Sequence, residues 1–265
     1  MPELKVNGLR TNYQVLSGAG EPTESVVFIH GMGTDSLASF YLTLAPPVAA
    51  AGIDVISYDL RGHGKSERPV SGYALADFVA DLHELIVALV GDRRVHLVGN
   101  SFGGTIAYAF AARFPERVRS VVSIESEPPT EIWATKMRFT LAATLEMLSV
   151  EENYDWIEAN FGAHHRRLAR LAAKRFTDTT MADEVPTGAL MSIEDVSAIE
   201  VPVLSILGRY GYQSDDLDAL TSLMPRGELY VFDDQGHSVL VEQHRAVRGL
   251  LVDWVRRHGT PVTDG

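Results

Sequence analysis

The sequence predicts an α/β fold: a mostly parallel, eight-stranded sheet with helices on both faces and a helical lid inserted between two of its strands. Three observations predict it. Short continuous runs of β-branched and aliphatic residues alternate with longer amphipathic stretches, the pattern of strands buried on both faces and joined by crossover helices. The alternation stops between about residues 128 and 198, where helical patterns follow one another without strands, and then resumes. In the middle of the chain a strand-like run at 95–98 passes through Gly99-Asn100-Ser101-Phe102-Gly103-Gly104 into a helix-prone run at 105–113. That is Gly-x-Ser-x-Gly at a strand-to-helix turn, the pattern of a nucleophile elbow.

The elements follow in order. Apolar residues at 4–6 and 9–16 flank Asn7-Gly8, a strong hairpin signal, so the sheet opens with an antiparallel pair. Residues 25–30 form a continuous strand ending in His30-Gly31-Met32-Gly33. A short helix at 47–51 precedes Gly52 at C′, with Pro46 and Pro47 expected to stop it extending backward. A strand at 53–58 leaves through Asp59 to Ser66, and a helix at 76–90 shows an apolar stripe through Phe78, Val79, Leu82, Leu85, Ile86 and Leu89. After the elbow and its helix, Pro115 limits the helix and 118–124 forms the next strand. Helices at 130–148, 151–160 and 164–176 fill the insertion. A strand at 201–207, a helix at about 215–224, a strand at 228–232 and a helix at 240–257 complete the pattern. The core is therefore 1–127 with 199–265, and the insertion 128–198 is expected to act as a lid over the strand ends. Residues 259–265 read as a frayed tail.

Composition excludes several functions. With 265 residues, 46% of them hydrophobic, the chain can bury a full α/β core. A formal charge of −12 disfavours a nucleic-acid surface or an anionic membrane. Without cysteine there is no disulfide, thiolate zinc site or cysteine nucleophile. The first residues lack a signal-peptide core, and no apolar run approaches the ~18 residues of a spanning helix. The expectation is a cytoplasmic protein with no cofactor. Gly31-x-Gly33 lacks the third glycine of a dinucleotide-binding turn, and His164-His165 lacks the i, i+4 spacing of a helical zinc site, so no metal is expected.

Ser101 is the candidate nucleophile. A sharp turn pushes its hydroxyl above the sheet, where the first N–H groups of the following helix also point. A neutral hydroxyl attacks poorly and needs a base. His237, after the last strand and before the last helix, is the candidate. His63, in a glycine-bounded turn, reads as structural. His83, His96, His164, His165, His244 and His258 fall on helix or strand patterns and are expected to lack a partner.

The chain resembles the α/β-hydrolase family along nearly its whole length. The matching residues are His30-Gly31-Met32-Gly33, Asp59-Leu60-Arg61-Gly62-His63-Gly64-Lys65-Ser66, the elbow, Phe114-Pro115-Glu116-Arg117-Val118 and Gly236-His237-Ser238. The resemblance implies an oxyanion hole built from the N–H of Phe102 and the N–H of Met32, with Gly31 and Gly33 letting that loop approach closely. It also implies a carboxylate after the strand at 201–207, three residues past Gly208, but that position is Gly211. Asp215 and Asp216 come four and five residues late, in a Ser214-Asp215-Asp216 run that reads as a helix start.

Some relatives place the acid at the end of the strand after the nucleophile helix. In certain haloalkane dehalogenases and zearalenone-type lactonases a glutamate stands there, and the similar position here is Glu125. Glu127, Asp215 and Asp216 remain alternatives, as does the absence of any acid.

A serine nucleophile disfavours chemistries that need an aspartate in its place. Acyl transfer to water remains: an ester, a lactone, a thioester, or a C–C bond beside a ketone. The expected pocket is apolar, walled by Gly31, Met32, Phe102, Trp133, Met137, Phe139 and Trp156, and suits a bulky hydrophobic ester or lactone. Arg138 and Arg166 are expected on solvated faces. The expected partner is that small substrate, with no nucleic acid or membrane; a homodimer is left open. The rivals are a lyase or cyclase on the same fold, and a ligand-binding protein that retains it.

Overall fold

The computed structural model describes residues 3–20, 24–188, 190–211 and 217–260. Eight strands form one sheet in the order β1-β2-β4-β3-β5-β6-β7-β8. They are β1 (Glu3–Val6), β2 (Leu9–Leu16), β3 (Ser25–Ile29), β4 (Asp54–Tyr58), β5 (Val95–Asn100), β6 (Val118–Ile124), β7 (Val203–Gly208) and β8 (Gly227–Phe232). The β1/β2 and β2/β4 pairs are antiparallel and the rest parallel. Asn7 and Gly8 both take positive φ, 48° and 79°, which is the primed hairpin turn that their types favour. In β3, Val27 and Ile29 join one apolar cluster while Val26 and Phe28 join the other, so helices cover both faces.

The helices are α1 (Ala38–Tyr41), α2 (Ala45–Ala50), α3 (Leu75–Val90), α4 (Phe102–Arg113), α5 (Glu131–Leu148), α6 (Glu151–Phe161), α7 (Ala163–Thr177), α8 (Met181–Glu184), α9 (Ile193–Ser197), α10 (Leu217–Leu223), α11 (Val239–Glu242) and α12 (His244–His258). Helices α5–α9 form the insertion between β6 and β7. Two expectations are corrected. Helix α2 begins at Ala45, with its prolines inside the first turn where their missing N–H costs nothing. The last helical stretch is two helices, broken at Gln243 (φ −113°, ψ 20°). The short helices α1, α8 and α9 were not legible as periodic patterns. No helix among the described residues is long and apolar enough to cross a membrane. Ser214, Asp215 and Asp216 lie outside the described residues, as does the chain end from 261.

Candidate active site

The site lies beyond the carboxyl ends of β5 and β6. Ser101 sits between β5 and α4 with φ 52° and ψ −123°. A non-glycine residue held there is strained by order 1–3 kcal/mol and persists only when its surroundings enforce it. The elbow glycines show the enforcement. A Cβ on Gly103 would stand 2.0 Å from the Ile29 carbonyl oxygen, and one on Gly99 would stand 2.3 Å from Gly103. Helix α4 packs too tightly on β3 and β5 for any side chain at those positions.

Glu125 is the other strained residue beside the sheet. It follows β6 with φ 53°, and its N–H continues the ladder by donating to the Ile206 carbonyl at 2.8 Å. The turn carries its side chain under His237. Among described non-glycine residues, only Asn7, Ser101 and Glu125 have positive φ. Two of the three therefore flank one histidine.

The three side chains form a hydrogen-bonded chain. His237 Nε2 is 3.3 Å from Ser101 Oγ, and His237 Nδ1 is 3.0 Å from Glu125 Oε2. The Glu125 side chain is fully buried. Its second oxygen, Oε1, accepts the N–H of Gly208. With the carboxylate on Nδ1, that nitrogen carries the proton and Nε2 is left to accept from the serine hydroxyl. The Glu127 carboxylate pairs with Lys136 Nζ at 3.3 Å. Gly211, where the resemblance implied an acid, turns back so that its N–H donates to Gly208 O at 3.0 Å.

The loop after β3 reaches the elbow. A Cβ built on Gly31 would stand 3.3 Å from Ser101 Cβ, so this backbone lies directly against the serine. Peptide planarity then fixes where the Met32 N–H points. His30 Nε2 accepts the Leu60 N–H at 3.0 Å, so its Nδ1–H donates to the Gly31 carbonyl, 2.6 Å away. Pinning that carbonyl aims the Met32 N–H, trans across the same peptide, the opposite way. Asp35 holds the Gly31 N–H at 2.7 Å. Among the described residues the N–H groups of Met32 and Phe102 have no partner, in a structure whose loops and caps are otherwise densely bonded.

A cleft of about 410 Å³ opens at Ser101 and His237. One stripe of α5 walls it through Trp133, Met137, Thr140, Thr144 and Met147, with Phe102 beneath. Trp133 is buried and stacks on Phe102 with centroids 6.4 Å apart. Gly31 and Met32, expected in the pocket wall, are not among the residues that line this cleft. Trp156 does not line it either. It is 59% exposed on the outer side of α6, edge-on to Phe161, because Tyr154 is the residue that α6 buries. Phe139 is likewise exposed. Arg138 and Arg166 face solvent-side carboxylates, Glu131 for the former and Glu151, Asp155 and Glu158 for the latter. Polar groups that the sequence reading did not single out, Thr105, Ser126 and Lys136, also line the cleft, together with Glu127.

Three histidines expected to lack a partner have one: His165 Nδ1 lies 2.7 Å from the Phe161 carbonyl, His244 Nδ1 lies 2.9 Å from the Val241 carbonyl, and His96 is bonded on both sides. It is fully buried between Ser120 Oγ (2.7 Å from Nδ1) and Glu24 Oε2 (3.2 Å from Nε2). Among the described residues no group of three or more metal-ligating side chains is placed to hold a metal ion.

Known proteins resemble the chain throughout. A sequence model for the alpha/beta hydrolase fold matches residues 24–151. A 2-hydroxy-6-oxononadienedioate/2-hydroxy-6-oxononatrienedioate hydrolase of Paraburkholderia phymatum is 40% identical over 273 residues, covering 93% of this chain and 91% of its own. A 2-hydroxy-6-oxo-2,4-heptadienoate hydrolase of Pseudomonas putida is 30% identical over 275 residues, covering 94% and 93%. The enol-lactonase of Burkholderia xenovorans superimposes with a TM-score of 0.74 at 20% identity, covering 96% of this chain and all of its own.

Proposed function

The chain belongs to the alpha/beta hydrolase fold family, and within it we propose that this protein is a cofactor-free serine hydrolase cleaving an ester or lactone of a bulky, uncharged small molecule. The observation that carries the reading is the chain Ser101–His237–Glu125, which opens into a cleft beside two N–H groups without partners.

In the proposed reaction Ser101 Oγ attacks the acyl carbon while His237 Nε2 takes the hydroxyl proton. The negative charge that develops on the carbonyl oxygen is held by the N–H groups of Met32 and Phe102. One such donor is worth about 3–4 kcal/mol of transition-state stabilisation. The tetrahedral intermediate collapses, the alkoxide leaves with the proton from His237, and an acyl-enzyme remains. Water then attacks with His237 again as base, releasing the acid and restoring Ser101. Glu125 keeps the proton on Nδ1 and stabilises the imidazolium; losing such a carboxylate costs about 10⁴ in kcat, near 5 kcal/mol. In a compact chain apo serine–histidine contacts are commonly longer than in the reacting complex, which accommodates the 3.3 Å separation. The insertion α5–α9 acts as the lid, with Trp133 and Met137 against the acyl group.

Charge supports an uncharged substrate. Among the described residues the charged side chains lining the cleft are Glu125, Glu127 and Lys136, and the lysine already pairs with Glu127. A carboxylate-bearing substrate would enter a site with no cationic surplus. The names of the two sequence relatives favour a second reading, hydrolysis of the C–C bond of a dienoate.

Steady-state turnover on matched substrates separates the two. Aryl esters and lactones with bulky apolar acyl groups are expected to turn over with an initial burst, and a 2-hydroxy-6-oxo-dienoate slowly. A kcat/KM for the dienoate above that for every ester and lactone would replace the first reading by the second.

A further inference from the structure

Gly33 follows Met32, and its peptide groups are held on both sides. Its N–H donates to His63 Nε2 at 3.2 Å. Since Nε2 accepts, the His63 proton is on Nδ1, which donates to the Arg61 carbonyl at 3.0 Å. Burial, then the nearby Arg175 charge, pushes the His63 pKa well below its ordinary value and keeps the ring neutral. The Gly33 carbonyl accepts from Arg175 Nη1, and Arg175 Nε donates to the Gly62 carbonyl at 2.6 Å. Gly62 and His63 belong to the same turn, so one guanidinium ties together the two loops that hold Gly33.

Arg175 comes from α7, in the insertion, 142 residues beyond Gly33. It is 6% exposed, and among the described residues it forms no salt bridge. Burial, then the like charge of Arg68, pushes its pKa down to about 10, so it stays cationic at neutral pH. A buried cation held by carbonyl dipoles, with the Asp59 charge acting on it but no direct ion pair, is a poor stabiliser. Its planar fork, however, reaches two carbonyls from two nitrogens held in one rigid plane, a geometry that a single ammonium nitrogen does not reproduce. Phe176, the next residue, also approaches Gly33, 4.0 Å from where a Cβ would stand.

We propose that Arg175 is a positioning residue for the oxyanion loop: by holding the Gly33 carbonyl it keeps the Met32 N–H aimed, so the insertion completes the oxyanion hole as well as covering the cleft. The inference rests on the oxyanion role given to Met32 above. Its rival is plain docking of the insertion, and Glu184 provides the control. Glu184 also ties the insertion to the core, through the N–H groups of Gly72 (2.9 Å) and Tyr73, away from Gly33.

The test compares Arg175→Ala, Arg175→Lys and Glu184→Gln in the full chain. With an aryl ester, Arg175→Ala is expected to lower kcat roughly tenfold to a hundredfold with KM within about threefold, part of the effect of a whole oxyanion donor. Arg175→Lys falls between Arg175→Ala and wild type, and Glu184→Gln stays within about twofold of wild type. A cavity of about 200 Å³ beside Arg175, bordered by the exposed Arg68, admits a small cation, so added guanidinium is expected to restore part of the kcat of Arg175→Ala. Wild-type kcat in Arg175→Ala, a loss confined to KM, or an equal loss in Glu184→Gln overturns the inference. Should Arg175→Ala fail to fold, wild-type kcat in Arg175→Lys overturns it. Hydrogen exchange of the peptide spanning 30–36 reads the clamp without turnover: faster exchange in the Arg175 variants than in Glu184→Gln is expected, and unchanged exchange refutes it. A wild-type protein that turns over no ester or lactone, yet shows that exchange pattern, would remove the ester and lactone reading and leave the clamp.

Discussion

Serine, histidine and glutamate are hydrogen-bonded in series at two places in this molecule, at opposite ends of the same sheet. Beyond the carboxyl ends of β5 and β6 lie Ser101, His237 and Glu125. At the amino ends lie Ser120 on β6, His96 on β5 and Glu24 just before β3. The residue types are the same and the environments are opposite. Ser101 stands on a strained turn, opens into a cleft and has two unpartnered N–H groups beside it. Ser120 is a regular strand residue, fully buried, with its hydroxyl also accepting Trp254 Nε1 at 2.9 Å. Glu24 accepts the Thr260 N–H and meets Arg119 Nε at 3.5 Å. The lower set fastens α12 and the chain beyond it to the sheet. Under the proposed function, what sets Ser101 apart from Ser120 is strain, access and nearby donors rather than composition or connectivity.

The largest effects break the comparison at its serines. Ser101→Ala is expected to lower kcat about 10⁵–10⁶-fold, the scale seen when such a unit loses its nucleophile. Ser120→Ala is expected to keep kcat within about twofold, read with the same aryl ester, and to lose stability instead. The glutamates come next. Glu125→Gln is expected to lower kcat about 10⁴-fold through the wrong histidine tautomer. Glu24→Gln leaves kcat unchanged and costs about 1–3 kcal/mol of unfolding free energy in urea, because buried donors lose a charged acceptor.

Acid sharpens the difference further. Burial works to raise the Glu24 carboxyl, but hydrogen bonds from His96 and Thr260 outweigh it and hold its pKa at about 2, against an ordinary 4.5. A lowered carboxyl stabilises the folded state fully above its unfolded value, and that contribution fades as pH falls towards the folded value. The stability gap between wild type and Glu24→Gln is therefore expected to be constant above about pH 4.5 and to shrink as pH approaches 2, measured by urea unfolding across that range. The smallest effects concern the two tryptophans of the insertion. Trp133→Ala is expected to raise KM about tenfold for a bulky acyl ester and little for an acetyl ester, since it removes one apolar wall. Trp156→Ser, on the outer face, changes neither constant by more than about twofold.

Much of the upper site was legible because local rules report local geometry. Gly-x-Ser-x-Gly between strand and helix locates Ser101. The acid was reached differently: the resemblance to alpha/beta hydrolases implies a carboxylate where Gly211 stands, and the resemblance to relatives with a strand-end glutamate points to Glu125. The strands were legible for a similar reason: a buried parallel strand is a short apolar run whatever its neighbours. What failed to appear depends on contacts across long sequence separations. His96 and Glu24 are 72 residues apart, and Arg175 and Gly33 142, so no periodicity brings either pair together. Trp156 shows the same limit within one helix. An aromatic residue on a helical pattern does not say which face the neighbouring helices will bury, and here they bury Tyr154.

The most direct measurement maps the site of phosphonylation after treatment with a fluorophosphonate, by peptide mass in wild type, Glu125→Gln and Glu24→Gln. A single adduct on Ser101, formed rapidly in wild type and Glu24→Gln and slowly in Glu125→Gln, with Ser120 unlabelled, is the predicted result. An unmodified Ser101, or equal labelling rates in Glu125→Gln and wild type, would contradict it.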